Sequence, residues 1–132
     1  MIMAEQGGCC CGGEKTLIAA CSGAANTGQI ANRLMLALDE MGKGDAFCLA
    51  GIGADISGFI ASARAARTVV IDGCPVACGK KAFARHNLSP AVHLTVTDAG
   101  VKKAHDYANI DAETRQALAW ALPRVGGASC CG

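Results

Sequence analysis

The sequence predicts an α/β protein, a small doubly wound three-layer sandwich around a four-stranded, mostly parallel sheet. Three observations lead to this prediction. Short apolar runs alternate with segments of helical periodicity from Lys15 to about Pro123, as in βαβ units with right-handed crossovers. A length of 132 residues is enough for one core. A hydrophobic content of 52% against 17% charged residues indicates a globular chain.

The predicted strands determine where the candidate site lies. "TLIAA", starting at Thr16, is the first strand candidate, and "AFCLA", which contains Cys48, is the second. "TVVI", which runs up to Asp72, is the clearest strand. "AVHLTVTD" is the fourth strand candidate, because apolar and polar residues alternate along it. The simplest order for four such strands is 2-1-3-4.

Helical segments separate these strands. "TGQIANRLMLALDEMG" places Ile30, Leu34 and Leu38 at helical spacing and stops at Gly42. "DISGFIASARAAR" repeats the spacing, and "CGKKAFARHN" predicts a short helix. "DAETRQALAWAL" is the final helix, for which Asp111 is the predicted N-cap.

The two ends of the chain differ from the middle. "GGCCCGG" and "GGASCCG" set adjacent cysteines among glycines, a composition typical of flexible segments. We therefore predict flexible cysteine-rich tails at residues 1–14 and 126–132 around a single α/β metal-binding domain at residues 15–125.

The charge and hydropathy patterns exclude several classes of partner. The net charge is +1 and basic residues are interspersed with acidic ones, so the sequence predicts no nucleic-acid partner. No run approaches the roughly 20 apolar residues of a membrane span, and the start lacks the pattern of a secretory leader. These features predict a cytoplasmic protein without a membrane partner.

Nine cysteines are too many to be incidental in a reducing compartment. Their odd count and adjacent placement do not indicate a disulfide framework. Dense cysteine in the cytoplasm therefore predicts metal binding or thiol redox chemistry.

The cysteines outside the tails lie at, near or just after the carboxyl ends of predicted strands. Because the carboxyl ends of parallel strands meet at one edge of a sheet, we expect their thiols to converge there. Four thiolates form a closed tetrahedral zinc shell, which favours a structural, metal-handling or sensing role over catalysis. The predicted zinc ligands are Cys21, Cys48, Cys74 and Cys78.

The stretch "DGCPVACGKK" suggests how two of these thiols are positioned. Gly73 allows a tight turn after the third strand, Cys74 is expected in the N-cap region, and Pro75 fits the first helical position. Cys78 is then expected one turn later on the same helical face, where the positive end of the helix favours thiolates. Asp72 is expected to accept hydrogen bonds around the site or to hold its loop.

"CSGAANTGQIANR", "FCLAGIG", "VIDGCPVACGKK" and "LTVTDAGVKK", in this order, resemble the DGC-domain family of prokaryotic zinc-binding proteins. The Asp-Gly-Cys triplet of that family is Asp72-Gly73-Cys74 here. The resemblance runs from about Thr16 to Lys103. It implies zinc binding through the same four cysteines, and it implies no particular reaction.

Three alternatives stay open at this point. Cys74 and Cys78 can be a redox dithiol, and four thiolates also suit an iron–sulfur cluster. "CSGAANTGQ" is similar to the anion-binding loop of low-molecular-weight tyrosine phosphatases and arsenate reductases, but Thr27 replaces its arginine. An unidentified protein partner is also left open. The tail cysteines, which are either further soft-metal ligands or thiols with no assigned role, are Cys9, Cys10, Cys11, Cys130 and Cys131.

Overall fold

The computed structural model of the protein describes residues 15–126. The predictions for the two tails and for their five cysteines lie outside the described residues. Within them, none of the helices combines the length and the apolar character needed to cross a membrane.

Four parallel strands form one sheet in the order β2-β1-β3-β4. They are β1 (Thr16–Ala20), β2 (Asp45–Phe47), β3 (Arg67–Asp72) and β4 (Val92–Thr95). The predicted α/β fold and the 2-1-3-4 order are therefore confirmed. All four carboxyl ends lie at one edge of the sheet, which we call the carboxyl edge, and the opposite edge is the amino edge.

The helices alternate with the strands. They are α1 (Asn26–Glu40), α2 (Leu49–Gly53), α3 (Ser57–Ala65), α4 (Cys78–Ala84) and α5 (Ile110–Ala121), with short 3₁₀ turns at Val96–Ala99 and Leu122–Arg124. The short α2 is an addition, because the sequence predicted one helix between the second and third strands.

Side chains alternate between the two faces of the sheet, and each face is covered by helices. Ile18 and Ile71 face a buried cluster supplied by α1 and α5, which includes Leu34. Ala19 and Val70 face a second cluster supplied by α2, α3 and α4. This division gives the three layers that the sequence predicts.

The start of α5 differs from the prediction. Its N-cap is Asn109, which makes no side-chain capping hydrogen bond, and Asp111 lies inside the first turn. The carboxylate of Asp111 forms an ion pair with Arg33 of α1 instead. The helix therefore starts one residue before Asp111, since Ile110 is already helical.

Candidate functional site

The four predicted ligands all lie at the carboxyl edge. Cys21 follows β1 directly, and its amide donates a 2.9 Å hydrogen bond to the carbonyl of Ile71. Cys48 follows β2 and is the N-cap residue of α2. Cys74 lies two residues beyond β3, and Cys78 is the first residue of α4.

Three of these cysteines line one open cleft of about 730 Å³. Cys21 is partly buried, whereas Cys48 and Cys78 are exposed. The walls between them are mainly apolar and include Met35 and Phe47. Three structural elements that are distant in the sequence therefore present thiols to the same space.

Cys74 is outside the set of residues that line this cleft. Its carbonyl accepts a 3.0 Å hydrogen bond from the amide of Ala77, which closes a turn ahead of α4. Its sulfur accepts a hydrogen bond from the ammonium group of Lys103 at 3.4 Å. A cation therefore lies beside this thiol.

The local geometry corrects the prediction for Cys74 and Pro75. Ala77 adopts a left-handed conformation, with φ 57° and ψ 48°, and α4 begins after it at Cys78. Pro75 is thus in the turn rather than at the first helical position, and Cys74 does not share a helical face with Cys78. Alanine in the left-handed conformation carries a steric cost, and no sequence pattern here predicts this conformation.

Asp72 holds the start of α4. Its side chain is buried, with 1% of the residue exposed, and its carboxylate accepts hydrogen bonds from the amides of Gly79 at 2.7 Å and Lys80 at 3.1 Å. Since the N-cap residue supplies no side-chain acceptor, Asp72 satisfies the unpaired amides of the first turn from outside the helix. The expected loop-holding role of Asp72 is observed.

His93 is a site residue that the sequence patterns did not identify. Its Nε2 atom lies 2.7 Å from Oδ2 of Asp72. The contact depends on β3 and β4 being paired so that His93 lies opposite Val70. The alternation within "AVHLTVTD" places His93 on a strand, but it carries no information on this register.

Gly73 allows close backbone contact at the centre of the site. A Cβ atom at Gly73 would lie 2.7 Å from the amide nitrogen of Gly28 and 2.8 Å from backbone atoms of Thr27. A Cβ atom at Gly28 would likewise lie 2.7 Å from the amide nitrogen of Gly23. The turn after β3, the start of α1 and the loop after Cys21 therefore pack backbone against backbone.

Two amide side chains hold the neighbouring loops. Gln29 donates a 2.7 Å hydrogen bond to the carbonyl of Gly23, in the loop after β1. Asn26 donates to the carbonyl of Lys102 at 2.9 Å and accepts from the amide of Ala104 at 2.7 Å. The segment that carries Lys103 is thereby tied to the start of α1.

The loop after β1 retains one feature of anion-binding loops. The amide of Gly23 donates to the sulfur of Cys21 at 3.3 Å. Thr27, at the position where the similar phosphatase loops have their arginine, is 1% exposed, and its hydroxyl has no hydrogen-bond partner among the described residues. The position that would supply the oxyanion-binding charge is therefore neutral and buried, which argues against phosphoryl transfer.

The donor set suits a soft ion, because thiolates are preferred by zinc, copper(I) and iron–sulfur clusters. However, no group of three or more His, Cys, Asp or Glu side chains in residues 15–126 is close enough together to hold a metal ion. The thiols share a cleft without forming a closed shell.

Comparisons with known proteins agree with the motifs of the site. The family model named DGC domain matches residues 17–121. A relative from Pseudomonas aeruginosa, the anaerobic and virulence modulator AnvM, is 41% identical over 90 residues, which are 67% of this chain and 69% of that protein. No solved structure matches. The chain belongs to the DGC domain family.

Proposed function

We propose that this protein is a regulatory protein that binds a soft metal ion, zinc in particular, with the thiols at the carboxyl edge. The observation that carries the proposal is the cleft that Cys21, Cys48 and Cys78 line together. Three thiols with neighbouring apolar walls favour a soft cation over a hard one such as magnesium.

Metal binding requires the loops of the cleft to close. Cys48 and Cys78 are exposed at the starts of short helices, and Cys74 lies in the turn next to Cys78. The buried Asp72 and the closely packed Gly73 hold the base of that turn, so we expect the movement at the loop tips. A bound zinc ion would supply a cross-link between these loops.

The relative, rather than the cleft, supports a regulatory role. That protein is called a modulator in its name, and a closing metal site is a means of coupling ion binding to surface shape. We therefore propose a metal ion as the ligand and a second protein that binds the closed state. The nine cysteines support a location in the reducing cytoplasm. No catalytic step is proposed.

The direct test is elemental analysis with a visible spectrum on anaerobically purified full-length protein. In a variant with the five tail cysteines replaced by serine, we expect one equivalent of zinc and no visible absorption. Adding Cys21→Ser and Cys78→Ser should abolish binding, whereas Ser22→Ala next to Cys21 is the matched control and should leave it intact. A brown protein would indicate a cluster, and a metal-free protein after zinc reconstitution would refute the proposal.

The contact between Lys103 and Cys74 favours a second candidate, reversible thiol oxidation. In this case Cys74 and Cys78 would lose two protons and two electrons to a disulfide-bearing oxidant and form a disulfide. Mass spectrometry of protein treated with oxidised glutathione separates the two candidates. An internal Cys74–Cys78 disulfide in a protein that binds no zinc would favour redox chemistry.

A further inference from the structure

The cleft at the carboxyl edge is much larger than a metal ion requires. Its volume of about 730 Å³ falls within the range of about 300–1,000 Å³ that is typical of sites for cofactors and small molecules. By comparison, an apolar cavity of about 150 Å³ is enough to hold benzene. A bare ion bound by the thiols would therefore leave most of the cleft unfilled.

The lining of the cleft suits an apolar molecule. Large apolar side chains from three elements form part of its walls, namely Met35 of α1, Phe47 of β2 and Leu49 of α2. The small residues that leave the space between them open include Ala20, Ala50 and Ala82. Among the described residues, those that line the cleft include no Asp or Glu. A ligand that fills the cleft would therefore gain stability by burying apolar surface.

The placement of the thiols limits which metals suit this space. In residues 15–126, no three His, Cys, Asp or Glu side chains are close enough together to hold a metal ion. A metal that brings its own ligands needs fewer from the protein. In haem, the four nitrogens of the porphyrin hold the iron, and one cysteine thiolate is sufficient as the axial ligand. Haem therefore fits both the apolar walls and a set of thiols that forms no closed shell.

Cys21 is the thiol best placed to be this axial ligand. It is partly buried, whereas Cys48 and Cys78 are exposed, so its bond to iron would be better shielded from water. Its sulfur also accepts a hydrogen bond from the amide of Gly23 at 3.3 Å. Hydrogen bonds to the ligand atom stabilise a thiolate and tune the iron that it binds.

A cation near the rim of the cleft suits the propionate groups, which project from one side of haem. Lys81 is exposed, and it lies three residues after Cys78 and directly before Ala82, both of which line the cleft. Residues three apart are neighbours on the surface of a helix. Lys81 forms no ion pair with any other residue that the structure describes. Its ammonium group is therefore available to pair with a propionate.

We propose that the cleft is a haem-binding site, in which the thiolate of Cys21 is the axial ligand of the iron and Lys81 pairs with a propionate group. The thiol of Cys21 releases its proton to solvent when its sulfur binds the iron. Because one thiolate is sufficient, this inference requires neither zinc binding nor closure of the loops. Since Cys21 is a proposed ligand in both cases, haem and zinc would exclude each other.

The direct test is an anaerobic titration of reduced, metal-free full-length protein with ferric haem, in the variant with the five tail cysteines replaced by serine. We expect saturation at one equivalent, with the absorption and electron paramagnetic resonance spectra of thiolate-ligated ferric haem. Cys21→Ser should abolish the thiolate spectrum and lower the affinity at least about tenfold, which is the smallest effect usual even for residues around a metal ligand.

Cys74→Ser is the matched control for Cys21→Ser. Cys74 lies outside the set of residues that line the cleft, so its replacement should change neither the spectrum nor the affinity. Binding that does not saturate at one equivalent, or a thiolate spectrum that survives Cys21→Ser, would overturn the proposal.

Lys81→Gln tests the rim of the cleft. We expect haem affinity to fall by about two- to fivefold, which is the contribution of an exposed ion pair. Lys80→Gln is the control, because residues two apart do not face each other on a helix and Lys80 follows Cys78 by two. Equal affinities of the two variants would remove Lys81 from the site.

A second measurement uses the unaltered chain and does not depend on how well any variant folds. The alkylation of each cysteine by iodoacetamide is followed by peptide mass spectrometry with and without haem. Haem should protect Cys21, whereas Cys74 should react at its haem-free rate; the opposite pattern would refute this inference. Haem binding by a protein that binds no zinc would refute the proposed function alone, and zinc binding without haem binding would refute this inference alone.

Discussion

The imidazole of His93 and the carboxylate of Asp72 form a 2.7 Å contact between two neighbouring strands. The same buried carboxylate accepts the amides of Gly79 and Lys80 in the first turn of α4. One side chain therefore links β3, β4 and the helix that begins with Cys78. The position of that thiol depends on a residue that does not line the cleft.

Replacing Asp72 with Ala should destabilise the fold strongly. The substitution leaves two helix amides and the His93 imidazole without their acceptor, and we expect a loss of about 2–4 kcal/mol in the free energy of unfolding. Asp72→Asn keeps one acceptor oxygen and should cost less. Urea denaturation measures both.

The matched control for this prediction is Asp45→Ala. Asp45 is exposed and its ion pair with Lys15 has an N–O distance of 3.6 Å, so its removal should cost less than about 1 kcal/mol. Equal losses for the two alanine variants would show that Asp72 does not have the role assigned to it.

Gly73→Ala tests the backbone packing at the centre of the site. The added methyl group would lie within 2.8 Å of the backbone of Thr27 and Gly28, so the turn or the start of α1 must shift. We expect a destabilisation of about 1–3 kcal/mol. Thermal unfolding gives this value, and reduced zinc affinity should accompany it.

Gly58→Ala is the control for Gly73. Gly58 lies in α3, and nothing is within 4 Å of a Cβ built there. Because alanine is the better helix former, this variant should be as stable as the native chain or gain up to about 1 kcal/mol. A Gly73→Ala protein that behaves in the same way would refute the packing argument.

Asn26→Ala should loosen the segment that carries Lys103. Asn26 is 2% exposed, and its side chain bonds to the carbonyl of Lys102 and the amide of Ala104. Losing these bonds should cost about 1–3 kcal/mol in urea denaturation. Asn109→Ala is the control, because Asn109 makes no side-chain capping bond and should change stability by less than about 0.5 kcal/mol. Similar losses in both variants would contradict the assignment.

The strand order and the edge of the sheet that carries the thiols were predictable from the sequence. Period-two and helical patterns locate the elements, and parallel strands place their carboxyl ends together. This reasoning is sufficient to bring Cys21, Cys48 and Cys78 to one region. This reasoning depends on the alternation of strand and helix patterns along the chain, which is a local property of the sequence.

The finer geometry depends on features that a pattern does not encode. The left-handed conformation of Ala77 precedes the start of α4 at Cys78, so Cys74 lies outside that helix, although alanine gives no signal for such a turn. The contact between His93 and Asp72 follows from strand register, which is set by the packing of the whole sheet. Gly73 was assigned to a tight turn, but the structure also shows a close backbone approach.

Lys103→Gln tests whether the cation beside Cys74 affects the chemistry of that thiol. The ammonium group lies 3.4 Å from the sulfur and should attract an anionic reagent. In metal-free protein, the rate of Cys74 alkylation by iodoacetate relative to neutral iodoacetamide should fall about fivefold, corresponding to about 1 kcal/mol of attraction in water. The difference should shrink as salt is added. Lys102→Gln is the control, since Lys102 contacts Asn26 through its carbonyl group. A ratio that is unchanged by Lys103→Gln, or equally lowered by Lys102→Gln, would show that the contact does not govern reactivity at Cys74.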